Sequence, residues 1–419
     1  MSLVTTGPPP PSQDVAAVAK RRRSSDALAD AGDGRLSSLP APIMKLEGHK
    51  GEVLGLAFHP LPASAHLLAS SSFDNTVLVW DTAAADVPAV ARLTGHRSAV
   101  TDVAFAGAAG DLLATASADA TGALWDVVTG ERLKVLRGHR SHVNAVAAPP
   151  PVAGAAAAAA ASADGGDEGG GGDGGGGIGG GGGVGDYTVA TASNDKTVRV
   201  WDGRDRRRGA ELLLPHRAQV LAVAWGENDH TVYSAGVDGD VCGWDLRAAS
   251  SAWAASDVAA AAAAAANSTA AADASGTAAA AAAGCFRRLR GHTEPVTGLA
   301  LNARRTHLVT NAMDHSARVW DVRPFVDGGD AGRQAAVLIG HRHGFDKSLL
   351  RAAWGGGDEV VAAGAADGTL WVWEVADRAV RYRLPGHAGP VNAVAFHAVQ
   401  PVVASGGADK VIFLGELLL

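Results

Sequence analysis

Cysteine is scarce, with two residues, Cys242 and Cys285, among 419. So few excludes a disulfide framework and leaves no cysteine–histidine set for a structural zinc, which points to a reducing intracellular compartment. Long apolar runs are missing as well. No stretch reaches the roughly eighteen strongly apolar residues of a transmembrane helix, and alanine tracts are too weakly hydrophobic to insert alone, so no membrane contact is expected. The opening Met1-Ser2-Leu3-Val4 gives way at once to prolines, unlike a secretory signal. A surplus of positive charge is also absent. The 36 Lys and Arg against 43 Asp and Glu leave a formal charge of −7, which argues against a broad basic face that coats nucleic acid. Any RNA contact is expected to be indirect or minor.

What is present is a repeat. Gly-His pairs end at His49, His96, His139, His292, His341 and His387, and Pro215-His216 fills the gap as a worn copy. Each is followed by apolar runs, an aspartate in a turn, and a last run ending in Trp-Asp or a relic of it. The turn aspartates Asp74, Asp119, Asp195, Asp238, Asp314 and Asp367 each stand six residues before Trp80, Trp125, Trp201, Trp244, Trp320 and Trp373. Asp409 stands six before Gly415, where the tryptophan is lost. A hydroxyl precedes the aspartate by four residues at Ser70, Thr115, Thr191, Ser234, Thr310 and Ser405, while Ala363 breaks the series.

These residues resemble the WD-repeat family over roughly 43–419. The resemblance implies an all-β fold, a seven-bladed WD-repeat β-propeller. A single four-stranded sheet cannot cover both its faces, so such blades stack around a ring. It also implies that His, turn Asp, hydroxyl and Trp form a hydrogen-bonded set in each blade. The apolar segment Ile43-Met44-Lys45-Leu46 precedes the first Gly-His, and Val411-Ile412-Phe413-Leu414 is the last strand signal. The outer strand of the last blade is therefore expected from the N-terminal segment, which would remove exposed edges.

Residues 1–42 read as a disordered tail. Lys20-Arg21-Arg22-Arg23, followed by Ser24-Ser25, is either a nuclear-import patch or an ordinary solvated charge run. Residues 149–185 and 249–284 are Ala-, Gly- and Ser-rich insertions that cannot bury enough apolar surface to offset ordering entropy. The glycine tract is no phosphate loop, because no Gly-Lys-Ser/Thr follows it.

Catalytic chemistry finds no support. The histidines recur with the repeat, which makes them structural. His341 and His343 form a lone His-x-His without a third ligand at metal spacing, and no Gly-x-Ser-x-Gly elbow occurs. His59 and His397 read as loop residues after the first strand of their repeats. The expectation is no enzyme, no cofactor, no metal and no small-molecule substrate.

Ala41-Pro42-Ile43-Met44, the stretch from Thr310 to Asp314 and on from Val319 to Phe325, Tyr382 to Gly389 and the altered end from Ala408 to Glu416 resemble the WD-repeat subunits of the U5 small nuclear ribonucleoprotein. That resemblance implies a nuclear, non-catalytic scaffold in pre-mRNA splicing. Its partners would be the large central scaffold protein of the spliceosome and other U5 proteins. Arg204, Arg247 and Arg323 each follow a Trp-Asp by one residue and form a candidate partner-binding rim suited to bidentate contacts. Equally, an arginine there serves only to keep a loop soluble. The run Arg204 to Arg208 could touch RNA phosphates but has no interleaved aromatics for base stacking. A rival reading takes Trp-Asp-x-Arg at Trp244 and Trp320 as the docking box of a substrate receptor of a cullin-RING ubiquitin ligase. A G-protein β-like role would favour an N-terminal coiled coil, and residues 1–42 carry no heptads.

Overall fold

A computed structural model describes residues 43–84, 89–107, 110–149, 188–204, 212–228, 230–249, 285–326, 329–344 and 348–418. The tail 1–42 with its Lys20–Arg23 patch lies outside the described residues. So do both insertions, apart from Pro149 and Ala249 at their edges; Ala249 is buried in the core and belongs to the blade before it.

The strands follow from alternating apolar runs cut by Gly, Asp and Ser turns. Strand β1 spans Ile43–Glu47. The first blade comprises β2 (Val53–Phe58), β3 (Leu67–Ser72), β4 (Thr76–Asp81) and β5 (Ala91–Thr94). The second holds β6 (Val100–Ala106), β7 (Leu112–Ser117), β8 (Thr121–Asp126) and β9 (Arg132–Arg137). The third holds β10 (Val143–Ala147), β11 (Thr188–Ser193), β12 (Thr197–Asp202) and β13 (Leu212–Pro215). The fourth holds β14 (Val220–Trp225), β15 (Thr231–Gly236), β16 (Val241–Asp245) and β17 (Cys285–Leu289). The fifth holds β18 (Val296–Leu301), β19 (His307–Ala312), β20 (Ser316–Asp321) and β21 (Gln334–Ile339). The sixth holds β22 (Ala352–Gly355), β23 (Val360–Gly364), β24 (Thr369–Glu374) and β25 (Val380–Pro385). The seventh begins with β26 (Val391–Phe396), β27 (Val402–Gly407) and β28 (Val411–Glu416), and β1 completes it.

All pairs within the blades are antiparallel. The closing pair sets Ile43 opposite Gly415, Met44 opposite Leu414 and Leu46 opposite Ile412. Each blade's first strand lies innermost and packs beside that of the next, and β2 meets β26 to shut the ring.

The core is divided among the blade interfaces. One apolar cluster joins Leu56, Leu68 and Trp80 of the first blade to Ala393, Val402 and Leu414 of the seventh. Another joins Val77, Val79 and Leu93 to Val103, Leu113 and Trp125 across the first and second blades. The other five interfaces each have their own cluster. Every sheet thus has both faces covered only because it has two neighbours, the burial on which such rings depend.

In five blades the hairpin between the second and third strands is a three-residue loop whose last residue is left-handed, and in the fourth and sixth it has four residues, 237–240 and 365–368, with the left-handed residue again just after the turn aspartate. Gly239 and Gly368 fill that position at φ 74° and 76°. Asn75, Ala120, Lys196, His315 and Lys410 adopt it at φ 61–68° although they carry a Cβ. The left-handed form is unfavourable for such residues, so the aspartate just before them has to hold the turn. No described helix is long and apolar enough to cross a membrane.

Candidate functional site

The third strand of each blade starts at this hairpin and ends at Trp-Asp, so the hairpins and Gly-His loops share one face of the ring. The Trp-Asp ends lie on the other.

On the first face the repeated residues converge. In five blades the His Nδ1 lies 2.8–3.1 Å from the turn carboxylate, for His49–Asp74, His96–Asp119, His139–Asp195, His292–Asp314 and His387–Asp409. The His Nε2 lies 2.6–2.9 Å from Ser70, Thr115, Thr191, Thr310 and Ser405. The tryptophan indole donates to the same hydroxyl at 2.8–3.0 Å from Trp80, Trp125, Trp201 and Trp320. An ionised carboxylate only accepts, so Nδ1 is the donor and Nε2 of a neutral ring accepts from the hydroxyl. Burial lowers the pKa of His49 and of His139 against the pull of Asp74 and Asp195, which keeps those rings neutral. Burial opposes ionisation of Asp74, but hydrogen bonds from Thr76, the Lys50 N–H and His49 outweigh it and hold the carboxyl down at about 2. The aspartate is the hub of the turn. Oδ1 of Asp74 accepts from the N–H and hydroxyl of Thr76, and Oδ2 accepts from the N–H of Lys50.

Three blades depart from this set. In the fourth, His216 contacts Ser234 at 2.7 Å and Trp244 donates to the same oxygen, but among the described residues no hydrogen bond links His216 to Asp238. In the sixth, Ala363 offers no hydroxyl. His341 instead meets Asn311 of the fifth blade at 2.7 Å, and Trp373 donates to the Ile339 carbonyl at 3.0 Å. Asp367 caps its own turn at the Thr369 N–H and faces Arg383 at 3.8 Å instead of reaching His341. In the seventh, Gly415 stands at the tryptophan position, and Phe413, two residues earlier, packs edge-on against His387 at 4.7 Å between ring centres. His59 and His397 are more than loop residues. Buried His59 reaches the Gly110 carbonyl at 3.2 Å and packs against Phe105, tying the first blade to the second, and His397 packs against Phe58.

On the opposite face Arg204, Arg247 and Arg323 are placed at the ends of third strands. The Arg204 N–H donates to Asp202. The Arg247 side chain folds back as a fork on Asp245, at 3.1 and 3.2 Å, and Arg323 does the same on Asp321. Each guanidinium is exposed yet already engaged by its own Trp-Asp carboxylate. The rest of the run through Arg208 lies outside the described residues.

A polar ring around the channel had not been anticipated. Most innermost strands carry a β-bulge one or two residues in. The bulged residue reaches a carbonyl at or just before the start of the next blade's innermost strand in four places. Thr101 donates to Val143 at 2.6 Å, Asn144 to Val220 at 2.7 Å, Thr297 to Leu350 at 2.9 Å and Asn392 to Val53 at 3.1 Å. The signal was present in the sequence, as a Thr or Asn five residues after His in four repeats. Among the described residues no group of three or more His, Cys, Asp or Glu could hold a metal.

Seven stacked blades with this recurring hydrogen-bonded set define a WD-repeat propeller, a class of interaction protein. The comparisons agree. The family described as "WD domain, G-beta repeat" matches residues 40–81, 88–126, 184–202, 211–245, 283–321 and 379–414, and the chain belongs to it. The match skips 322–378, where the sixth blade has lost its set. Within the family the chain belongs with the U5 small nuclear ribonucleoprotein 40 kDa proteins. It is 35% identical to the one from Mus musculus over 93% of this chain and 88% of that protein. The human counterpart is 34% identical over the same shares. The pre-mRNA-splicing factor cwf17 of Schizosaccharomyces pombe is 28% identical over 91% of this chain and 90% of its own length.

Proposed function

We propose that this protein acts in pre-mRNA splicing as a non-catalytic interaction scaffold, a WD-repeat subunit of the U5 small nuclear ribonucleoprotein that works in the nucleus. The observation that carries this reading is the extent of the likeness. It spans the whole ring and nearly all of relatives whose names place them in that particle or in splicing. A fold alone does not specify function, but the likeness runs well beyond the repeat signature, over 93% of this chain and 88% of the mouse relative. The finer reading is that the ring holds the large central scaffold protein of the spliceosome, with other U5 proteins around it and RNA touched indirectly if at all. The engagement of Arg247 and Arg323 by Asp245 and Asp321 supports a structural part for these residues before any docking role.

Affinity purification of the tagged chain from nuclear extract tests this. Near-stoichiometric recovery of the large scaffold protein with U5 RNA is the expected result. Recovery of a cullin adaptor without splicing proteins would overturn it and return the Trp-Asp-x-Arg rim to consideration.

A further inference from the structure

The hairpin face carries a cleft of about 390 Å³ on the second blade, lined by Gly95, Arg97, Thr121, Arg132, Val135 and Arg137 among others. Three guanidinium groups line it. Arg97 and Arg137 are exposed, and among the described residues neither has an ion-pair partner. Arg132 spends one N–H on the Gly95 carbonyl at 3.0 Å and stacks over Trp125. The one carboxylate in the cleft, Asp119, is fully committed. It accepts from His96, the Arg97 N–H, and the N–H and hydroxyl of Thr121.

The chain itself shows what fits such a place. In the fourth blade Arg290 stands where Arg137 stands in the second, just before Gly-His, and Arg288 stands where Val135 does. Both point at Asp240, at 3.6 and 3.5 Å. Asp240 lies two residues after its turn aspartate. The residue at that position in the second blade is Thr121, opposite Arg137 in the β8–β9 pairing. The second blade therefore keeps one arginine of that pair, Arg137, adds Arg97 and Arg132 beside it, and lacks the carboxylate.

We propose that the cleft takes a carboxylate from outside, so that this part of the hairpin face docks an acidic segment of a protein partner, one acidic side chain occupying the place Asp240 fills in the fourth blade. A guanidinium fork matches a carboxylate bidentately. The cleft holds a few side chains and offers no exposed aromatic for stacking bases, as single-stranded nucleic acid would need. The inference stands apart from the splicing role, since it rests on the cleft alone.

The test uses the full chain and a fluorescein-labelled deca-glutamate peptide, read by fluorescence polarisation at low and physiological salt. Binding that weakens at least tenfold in Arg97→Ala/Arg137→Ala is expected. Thr121→Asp is the sharper variant, because it installs the fourth blade's carboxylate and should close the site from within. It also removes the hydroxyl bond to Asp119, so a lower melting temperature is expected and circular dichroism checks that the variant remains folded. Absence of peptide binding to the wild-type chain overturns the proposal, as does undiminished binding by folded Thr121→Asp. Tighter binding of an oligouridine that displaces the peptide would assign the cleft to RNA phosphates instead.

Discussion

Arg351, entering the sixth blade, crosses the central channel to Asp102 on the innermost strand of the second, with 3.4 Å between Nη2 and Oδ2. The same guanidinium donates to the Asn144 carbonyl of the third blade at 2.7 Å. Asp102 also accepts from the N–H of Val146 and of Val103. Burial raises its pKa, and the charge of Arg351 pulls it back. Three blades on opposite sides of the ring are thereby tied at the axis. Removing one partner of a buried pair strands the other charge, so Arg351→Ala should destabilise by about 3 kcal/mol. Denaturant melts of Arg351→Ala, Asp102→Ala and the double variant, combined as a cycle, should show clear coupling; simple additivity would refute the bridge.

The hydroxyl shared by tryptophan and histidine gives a second expectation. Thr115→Val keeps the shape of the side chain but leaves the Trp125 indole N–H and His96 Nε2 without a partner. A loss of about 2 kcal/mol should follow, read as a lower denaturation midpoint with unchanged slope. No comparable loss is expected at position 363, where Trp373 and His341 already use Ile339 and Asn311.

The left-handed turn position predicts opposite signs at different blades. Ala120→Gly should stabilise or be neutral, since it relieves a strained φ of 65° while adding freedom to the unfolded chain. Gly368→Ala should be the costlier change, by upwards of about 1 kcal/mol, because its Cβ would also lie 2.4 Å from the His387 carbonyl oxygen. Thermal melts of both variants settle the order.

Acid sensitivity follows from the sixth-blade histidines. Burial, then the nearby His343 and His315, press His341 down to about 3; burial, then His315, press His343 to about 4, with Asp314 pulling weakly upward on both. Burial and Arg288 hold His216 at about 3. A folded pKa below the ordinary 6.5 means the unfolded chain binds protons first. Stability is therefore full above about pH 6.5 and falls as pH drops from there toward 4 and 3. Melting temperatures recorded from pH 8 to pH 4.5 should be flat and then decline. The decline should be shallower in His343→Asn.

Much of this ring is legible in the sequence, and the reason is recurrence. One aspartate six residues before a tryptophan says little, but repeated around the chain it fixes strand, turn and strand in each blade. Closure by β1 was legible because β28 had no following strand signal. Most of what stayed hidden lacks a fixed offset, and the Thr or Asn five residues after His recurs in only four repeats. Arg351 and Asp102 lie on different blades at an irregular separation, so no pattern joins them. Asn311 replaces a hydroxyl from the neighbouring blade, and Phe413 replaces a ring from two residues away on the same face. The forks of Arg247 and Arg323 onto Asp245 and Asp321 depend on side-chain torsions that the sequence does not display. The cleft is hidden because its lining residues, Gly95 and Arg97 from one loop and Arg132, Val135 and Arg137 from β9, come together only in the folded blade.

The closing pair of β1 with β28 bears on how the protein is made. The first of these strands to leave the ribosome finds its partner only when the last is complete. At roughly 5–20 residues per second, Ile43 to Glu47 wait on the order of tens of seconds while the first six blades are synthesised and stack. Throughout that time the nascent chain carries an open arc with an unpaired edge at each end. Chaperone engagement should therefore persist until the seventh blade emerges, however early the other blades take shape.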